Sequence, residues 1–223
     1  MMIHNIPETR NSPAYRILTQ RLCLRPWNPE DAPALDRAIR ESLQSLREWM
    51  DWAHLEPEPI LEKAQRIRRF RAQFDLDENF IYGIWDREEQ VVLGGTGLHP
   101  RVGGGALEIG YWIHTAHQGQ GLGTEAAKAL TRAAFEIHAV DRVEIRCSPG
   151  NPASTAIPRK LGFTHEATLR RRGIDPPDIP ADRMVWTVFA SEYPETRARL
   201  IEIEAFDLMG QRISVAPQAN ERR

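Results

Sequence analysis

The chain has 223 residues, 41% of them apolar and 27% charged, with a formal net charge of −2. Such a chain can bury a core without disulfides or a structural metal, and it lacks the overall basic field typical of nucleic-acid-binding proteins. No run reaches the roughly 18 apolar residues of a membrane span, and residues 1–12 lack the apolar core of a signal peptide. Cys23 and Cys147 stand far apart without metal or redox spacing, so we expect reduced thiols and a cytoplasmic protein.

The first part of the chain predicts one strand followed by helices. Residues 15–26 alternate apolar and polar side chains, as a strand with one buried face does. Asn28-Pro29-Glu30-Asp31 has the pattern of a helix start, with an N-cap residue, proline and acids in the first turn. Two further helical stretches are predicted around residues 43–53 and 60–74, because their apolar residues recur with helical spacing.

The middle of the chain predicts a sheet interrupted by two helices. Strands are expected at residues 80–86, 90–100, 106–114, 142–148, 164–170 and 183–189, and helices at 124–138 and 151–161. Hairpin-linked strands followed by a strand–helix–strand crossover indicate a mixed sheet, so the predicted fold class is α+β. The segment after Ser191 is predicted to be helical to about Met209 and disordered beyond. This divides the chain into an extension (1–14), one domain (15–191) and a tail (192–223).

A glycine-rich loop stands between a predicted strand and the helix that follows it. The loop comprises Gln118, Gly119, Gln120, Gly121, Leu122, Gly123 and Thr124. Glycines let the backbone curl so that successive N–H groups face one point, and the helix N-terminus adds unpaired donors and partial positive charge. The loop therefore suits a phosphate or pyrophosphate. A helix entry that needs glycine only for its turn is the alternative.

Three kinds of phosphate site place glycines in a loop of this type. A P-loop is excluded because no lysine follows the glycines. The run Gly121-x-Gly123-x-x-Ala126 matches a dinucleotide-binding fingerprint, with Asp141 and Glu144 about 20 residues on. That fingerprint should follow its strand immediately, however, and the chain lacks repeated strand–helix–strand units. The third kind of site is indicated by resemblance.

Several motifs resemble one family. Gln118-x-x-Gly121-x-Gly123 resembles the Q/R-x-x-G-x-G/A motif of the GNAT superfamily of acyl-CoA N-acyltransferases. The run 108–113, EIGYWI, is similar to a strand of the RimJ/RimL-like branch, which acetylates N-termini of ribosomal proteins. Asn151-x-x-Ser154 with the run 160–163 (KLGF), and the opening run 18–27, resemble further segments of that branch. The similarity implies a mostly antiparallel seven-stranded sheet with a splayed central strand pair, flanked by helices.

The resemblance also implies roles for individual residues. Glu108 is the implied general base, and it shares a strand face with Gly110 and Trp112; a surface carboxylate is the alternative. Ser154 is the acid for the leaving thiolate that the resemblance implies. The chain departs from many superfamily members, which carry a tyrosine further along this helix, since none lies between Asn151 and Phe163; this shifts weight to Ser154. Asn151 is an implied coenzyme anchor, although it also suits the N-cap of its own helix.

The implied coenzyme contacts come from the strand and the loop. Ile113 and His114 would supply backbone partners to the pantetheine arm of acyl-CoA, and the loop from Gln118 to Thr124 would hold the pyrophosphate. No metal is expected, because His114 and His117 lack a third ligand nearby.

The sequence marks fewer residues for the acceptor. Trp49 and Trp52 share a helix face, which by itself favours packing in the core. The resemblance implies instead that this region roofs the acceptor pocket. The run 170–172, three arginines, either borders that pocket or is a solvated hairpin connection.

The sequence thus predicts an enzyme that moves an acetyl or other short acyl group from acyl-CoA to a primary amine. The acceptor is a protein N-terminus or a small molecule, with neither nucleic acid nor membrane as a partner, and a homodimer stays open. A non-catalytic acyl-CoA-binding module of the same fold is the main alternative, and a dinucleotide oxidoreductase is the second.

Overall fold

The computed structural model describes residues 12–175 and 179–215, which form one ten-stranded sheet with four α-helices. The strands are β1 (Arg16–Leu18), β2 (Leu22–Pro26), β3 (Phe80–Asp86), β4 (Val92–His99), β5 (Ala106–Ile113), β6 (Arg142–Cys147), β7 (Thr164–Asp175), β8 (Ile179–Phe189), β9 (Glu204–Phe206) and β10 (Arg212–Ile213). The helices are α1 (Ala32–Arg47), α2 (Ile60–Asp75), α3 (Leu122–Glu136) and α4 (Pro152–Leu161). No described helix is long and apolar enough to cross a bilayer.

The sheet is mostly antiparallel, as the resemblance implied, although it has ten strands rather than seven. Its order is β10-β9-β1-β2-β3-β4-β5-β6-β8-β7, and the pair β5–β6 is parallel. Only Ala106, Leu107 and Glu108 of β5 pair with β6, whereas β5 stays paired with β4 up to Ile113. The two central strands therefore separate beyond Glu108. This confirms the predicted splayed pair.

Helices cover both faces of the sheet. The cluster around α3 buries alternate residues of β5, among them Leu107 and Ile109, and α3 presents small residues such as Ala126 and Ala133 that let it approach the sheet closely. The opposite face of the sheet packs under α1 and α2, where Trp112 joins a second apolar cluster. β5 therefore belongs to both layers of the core, which holds it in place on either side.

Two predicted elements at the start of the chain differ in detail. Residues 15–26 form a tight hairpin, β1 and β2, rather than one strand, because the chain turns between Leu18 and Leu22. The helix predicted at 43–53 is the end of α1 followed by a short 3₁₀ turn, Asp51–Leu55.

The predicted helix of the C-terminal segment is wrong. Residues 193–200 form two short 3₁₀ turns, and the chain then adds β9 to β1 and β10 to β9. Ala205 is fully buried between the half-buried Glu204 and Phe206, which is the period of a strand rather than a helix. Three residues are too few for that period to be recognised in the sequence. Residues 1–11 and 216–223 of the predicted extension and tail lie outside the described residues.

A buried lysine joins the two helices that cover one face. Lys63 of α2 is fully buried, and its ammonium lies 3.0 Å from Asp36 Oδ1 and 2.8 Å from Glu56 Oε2. Burial alone would raise the pKa values of both carboxyls. Hydrogen bonds from Lys63, with Arg40 at Asp36 and Arg66 at Glu56, outweigh burial and hold both pKa values below their ordinary 3.8 and 4.5.

We expect Lys63→Met to lower the free energy of unfolding by about 3–5 kcal/mol, because it leaves two buried carboxylates short of a partner. Carboxyls with lowered pKa values stabilise the fold above their ordinary pKa and lose that contribution as pH falls through the folded value. The difference in stability between the variant and the parent protein should therefore be full at pH 7 and shrink as pH falls through the folded pKa values of the two carboxyls. Urea titration from pH 7 to pH 3 measures both effects. Arg68→Met, an exposed cation on the same helix, is the control and should unfold like the parent protein.

Candidate active site

The separation of β5 from β6 opens a cleft in the middle of the sheet. It has a volume of about 360 Å³. Its walls come from β5, β6, the start of α4, and Trp49 and Met50 after α1. The cleft brings together four of the predicted site residues, namely Glu108, Ser154, Asn151 and Trp49. Trp52 is not among its lining residues. It packs instead beside Trp112, 6.2 Å between ring centroids, in the layer under α1 and α2.

Glu108 lines the cleft and forms a two-point ion pair with Arg101, which the sequence did not predict. Arg101 donates to both carboxylate oxygens, from Nη2 at 2.6 Å and from Nε at 3.0 Å. The Glu108 side chain is 9% exposed and that of Arg101 61%. These hydrogen bonds raise the pKa of the Arg101 guanidinium. Seven residues and a turn separate the pair in sequence, so only the fold brings them together.

A neutral histidine lies beside Glu108. His99 of β4 faces Glu108 across the strand pair, and its ring lies over Gly97, where a Cβ would collide with it at 2.7 Å, and against Gly110, where a Cβ would be in tight contact at 3.3 Å. Burial lowers the pKa of His99 to about 4, and its Nδ1 lies 2.7 Å from Asn79 Oδ1. The imidazole is therefore uncharged at neutral pH, with Nδ1 as donor and Nε2 left as an acceptor.

Ser154 sits on the first turn of α4, against a tyrosine from the neighbouring strand. Asn151 caps this helix, since its Oδ1 accepts the Ser154 N–H at 2.9 Å. The hydroxyl of Tyr111 lies 3.2 Å from both Oγ and the carbonyl oxygen of Ser154. Burial raises the pKa of Tyr111, which keeps its phenol protonated. Tyr111 belongs to the motif at residues 108–113, but nothing in the sequence predicted that its hydroxyl would contact α4.

The exposed edge of β5 runs along the cleft. His114 N–H donates to the carbonyl of Leu93 at 2.8 Å, which turns that residue's backbone toward β4. Successive residues of a strand point their backbone groups to opposite edges, so Tyr111 and Ile113 present theirs toward the gap that β6 leaves. The backbone groups of Ile113 thus point away from β4, whereas His114 N–H is already bonded to β4 and its imidazole Nε2 lies 2.9 Å from Glu41.

The glycine loop ends in the N-terminus of α3, which starts at Leu122, two residues earlier than predicted. Gly119 and Gly121 have φ of 74° and 79°, a left-handed backbone that favours glycine. Gln118 folds back, its side-chain amide donating to the carbonyl of Ile113 at 3.2 Å. The first turn of α3 leaves the N–H groups of Leu122, Gly123 and Thr124 without helical partners. This end of α3 can therefore bind an anion through these three donors.

A carboxylate ties this loop to the hairpin at the start of the sheet. Glu125, in the first turn of α3, accepts from the Thr19 hydroxyl at 2.6 Å and from Arg21 Nε at 2.7 Å. Arg21 Nη1 in turn donates to the carbonyl of Gln120 at 2.9 Å. The Arg21 guanidinium lies against Gly121, 3.7 Å from where a Cβ would stand. The Glu125 clamp, as we call Glu125 with Thr19 and Arg21, fixes the loop and puts a cation beside it.

A wider groove continues from the loop along α3. It measures about 1480 Å³ and is bordered by Gly121, Thr124, residues of α3 and the C-terminal segment around 200–204. Its cationic lining residues are Arg21, Arg87, Lys128, Arg132, Lys160 and Arg212. Among the described residues, Lys128 and Lys160 have no ion-pair partner. The groove therefore suits an extended, negatively charged ligand that ends at the glycine loop.

The structure gives no support to a metal centre in its described part. No group of three or more His, Cys, Asp or Glu side chains there could hold an ion. His114 and His117 lie 5.3 Å apart between ring centroids, and His114 is occupied with Glu41 and with the N–H of Ala116.

The chain is similar to known acetyltransferases in sequence and in fold. Residues 21–164 match the family described as acetyltransferase (GNAT) domain. The chain is 30% identical over 156 residues to YdaF of Bacillus subtilis, provisionally named a ribosomal N-acetyltransferase; the match covers 69% of this chain and 83% of YdaF. It is 29% identical over 161 residues to the [ribosomal protein uS5]-alanine N-acetyltransferase of Escherichia coli; the match covers 70% of this chain and 81% of that enzyme.

The fold is shared with a solved structure at lower identity. Mycobacterium smegmatis RimJ, in complex with CoA-disulfide, superposes with a TM-score of 0.74 at 20% identity. The match covers 86% of this chain and 96% of RimJ.

Removing the Glu125 clamp should loosen the loop. We expect Glu125→Ala to cost about 2 kcal/mol in urea unfolding, because it deletes charge-assisted hydrogen bonds to Thr19 and Arg21. Trypsin should also cleave after Arg21 faster. Lys128→Ala, one turn further along α3, is the control and should match the parent protein in both assays. Unchanged cleavage in Glu125→Ala would contradict the clamp.

Proposed function

The chain belongs to the acetyltransferase (GNAT) domain family and is an acetyl-CoA-dependent N-acetyltransferase, and from this premise we propose that it acetylates the α-amine of a protein N-terminus. The observation that carries the proposal is the cleft between β5 and β6. Glu108 lies in its wall together with the Ser154–Tyr111 pair, so an acid–base residue and a proton donor face one space. Relatives named for ribosomal-protein acetylation favour a protein acceptor over a small amine.

The coenzyme is assigned to the glycine loop and the open strand edge. Acetyl-CoA supplies a thioester carbonyl that an amine can attack. The N–H groups of Leu122, Gly123 and Thr124 would bind the pyrophosphate at the N-terminus of α3, with Arg21 beside it. The edge of β5 at Tyr111 and Ile113 would pair with the amides of the pantetheine arm, which brings the thioester into the cleft.

The chemistry then needs a base for the acceptor nitrogen and an acid for the leaving thiolate. Glu108, directly or through water, accepts a proton from the acceptor ammonium, and the freed amine attacks the carbonyl carbon. The new C–N bond replaces the C–S bond; the nitrogen gives up its second proton to water, and the departing thiolate takes a proton from the Ser154 hydroxyl. Tyr111 holds Ser154 through its own hydroxyl, 3.2 Å away, and can pass a proton from that water back to Ser154.

Turnover with defined acceptors tests the proposal. Thiol release from acetyl-CoA should be seen with octapeptides that carry a free N-terminal amine, and mass spectrometry should locate the acetyl group on that amine. The same peptides with a blocked N-terminus and an internal lysine are the control. Acetylation of small amines alone would overturn the protein acceptor. Binding of acetyl-CoA without any turnover would instead favour the non-catalytic module.

Glu108→Gln should lower kcat by about 10²–10⁴-fold, because it removes the proton acceptor, while the Kd for acetyl-CoA stays within about twofold. Glu144→Gln is a matched control. Glu144 stands at the same register position on β6, is as buried and also binds arginines, but it does not line the cleft. Equal losses in the two variants would show that ion-pair removal, not proton transfer, explains the effect.

Gly121→Asp should weaken acetyl-CoA binding at least about tenfold, because it adds a carboxylate and a Cβ at a left-handed position where phosphate is expected. Isothermal titration with acetyl-CoA measures the change. Gly104→Asp adds the same charge in open space away from the loop and should leave affinity unchanged. Equal affinity of both variants would remove the loop from coenzyme binding.

A further inference from the structure

The cleft is lined by more positive than negative charge. Arg101, Arg146, Arg172 and Arg183 all line it, whereas Glu108 is the only carboxylate among its lining residues in the described part of the chain. A catalytic cleft for an ammonium acceptor would not need this excess, since like charges repel the incoming amine. The arginines therefore need an explanation of their own.

Ion pairs within the described residues account for Arg101 but leave Arg172 without a carboxylate. Arg101 is matched by Glu108. Glu144, beside the cleft, accepts from Arg146 at 2.8 Å and from Arg142 at 2.8 Å, so two guanidiniums share one carboxylate. Arg172 forms no ion pair within residues 12–175 and 179–215. A surplus of positive charge thus remains at the cleft, with Arg172 as its unpaired member.

A bulge in the β7–β8 hairpin brings Arg172 into this position. Leu169 pairs with Arg183 and Gly173 with Ala181, so three residues of β7 stand opposite the single residue Asp182. Arg171 adopts φ of 53°, a left-handed backbone that costs a non-glycine residue about 1 kcal/mol or more. Its N–H donates to Asp182 Oδ1 at 2.9 Å, which stabilises the bulge. Bulges of this kind redirect side chains beside functional sites.

The bulge separates neighbouring arginines. Arg172 lines the cleft together with Glu108, whereas Arg170 of the same bulge does not. The guanidinium of Arg183 lies over Gly173, in the space that a Cβ would fill, so that a glycine is needed to seat it. The hairpin is thus shaped so that Arg172 and Arg183 reach one side of the cleft.

We propose that this cleft selects acceptors that carry a carboxylate close to the reacting amine, namely protein N-termini with an acidic residue at the second or third position. The inference rests on the proposed protein acceptor and adds its sequence class. Arg172 binds the acceptor carboxylate in a two-point contact, which guanidinium geometry favours. The cationic surroundings also favour the uncharged amine over the ammonium, which is the form that attacks the thioester.

The test compares two octapeptides that differ only in Glu or Gln at the second and third positions. For the parent enzyme at low salt we expect kcat/KM to be about tenfold or more higher for the acidic peptide, with the preference falling as salt rises. Arg172→Gln should reduce the ratio to about twofold or less, and Arg172→Lys should lie between. Arg170→Gln removes the same charge from the same bulge outside the cleft and should keep the full ratio.

The outcomes separate this inference from the proposed function. Equal acetylation of both peptides, or equal loss of preference in Arg170→Gln and Arg172→Gln, would overturn the carboxylate preference and leave the protein acceptor intact. Failure of every peptide would overturn the proposed function. Acetylation of small amino acids through their α-amine, with the preference still dependent on Arg172, would support carboxylate selection while removing the protein acceptor.

Discussion

The site depends on the point at which two parallel strands stop pairing. β5 remains bonded to β4 as far as Ile113, and β6 remains bonded to β8 along its length, so each strand follows its own partner. Their pairing therefore ends at Glu108, and the start of α4 enters the opening with Tyr111 against Ser154. One geometric event thus creates the cleft, frees a strand edge and places the candidate acid–base groups within it.

The glycine loop needs support that its own residues do not provide. Left-handed glycines at 119 and 121 permit the curled backbone, but they also leave it adaptable. Glu125 and Arg21 supply the missing rigidity, because they bond to the β1–β2 turn and to the carbonyl of Gln120. The glycines thus let the loop curl, and side chains bonded to a distant hairpin hold it in that shape. Such a loop suits repeated binding and release of a large anionic ligand.

Much of the fold was predictable from the sequence, and the failures have physical causes. α3 and the strand pattern of 80–113 were predicted because long periodic segments and glycine punctuation are local signals. β9 was missed because Glu204-Ala205-Phe206 is too short to show a period and is fixed by pairing with β1. In the site, Glu108 and Ser154 were predicted because they stand in motifs that resemble those of a known family. Arg101, Tyr111 and the bulge at Arg172 could not be predicted, since each depends on contacts that only the folded sheet creates.

The pairing of β9 with β1 has a consequence for how the protein matures. Ile17 pairs with Ala205, so the outer edge of β1 stays uncovered until β9, far later in the sequence, has been synthesised. Contacts this distant in sequence form slowly, and an uncovered strand edge is a template for association with other chains. During translation that edge, adjacent to the hairpin that holds Arg21, would stay open until β9 has been synthesised. Chaperone capture or early misassembly is most to be expected in that interval.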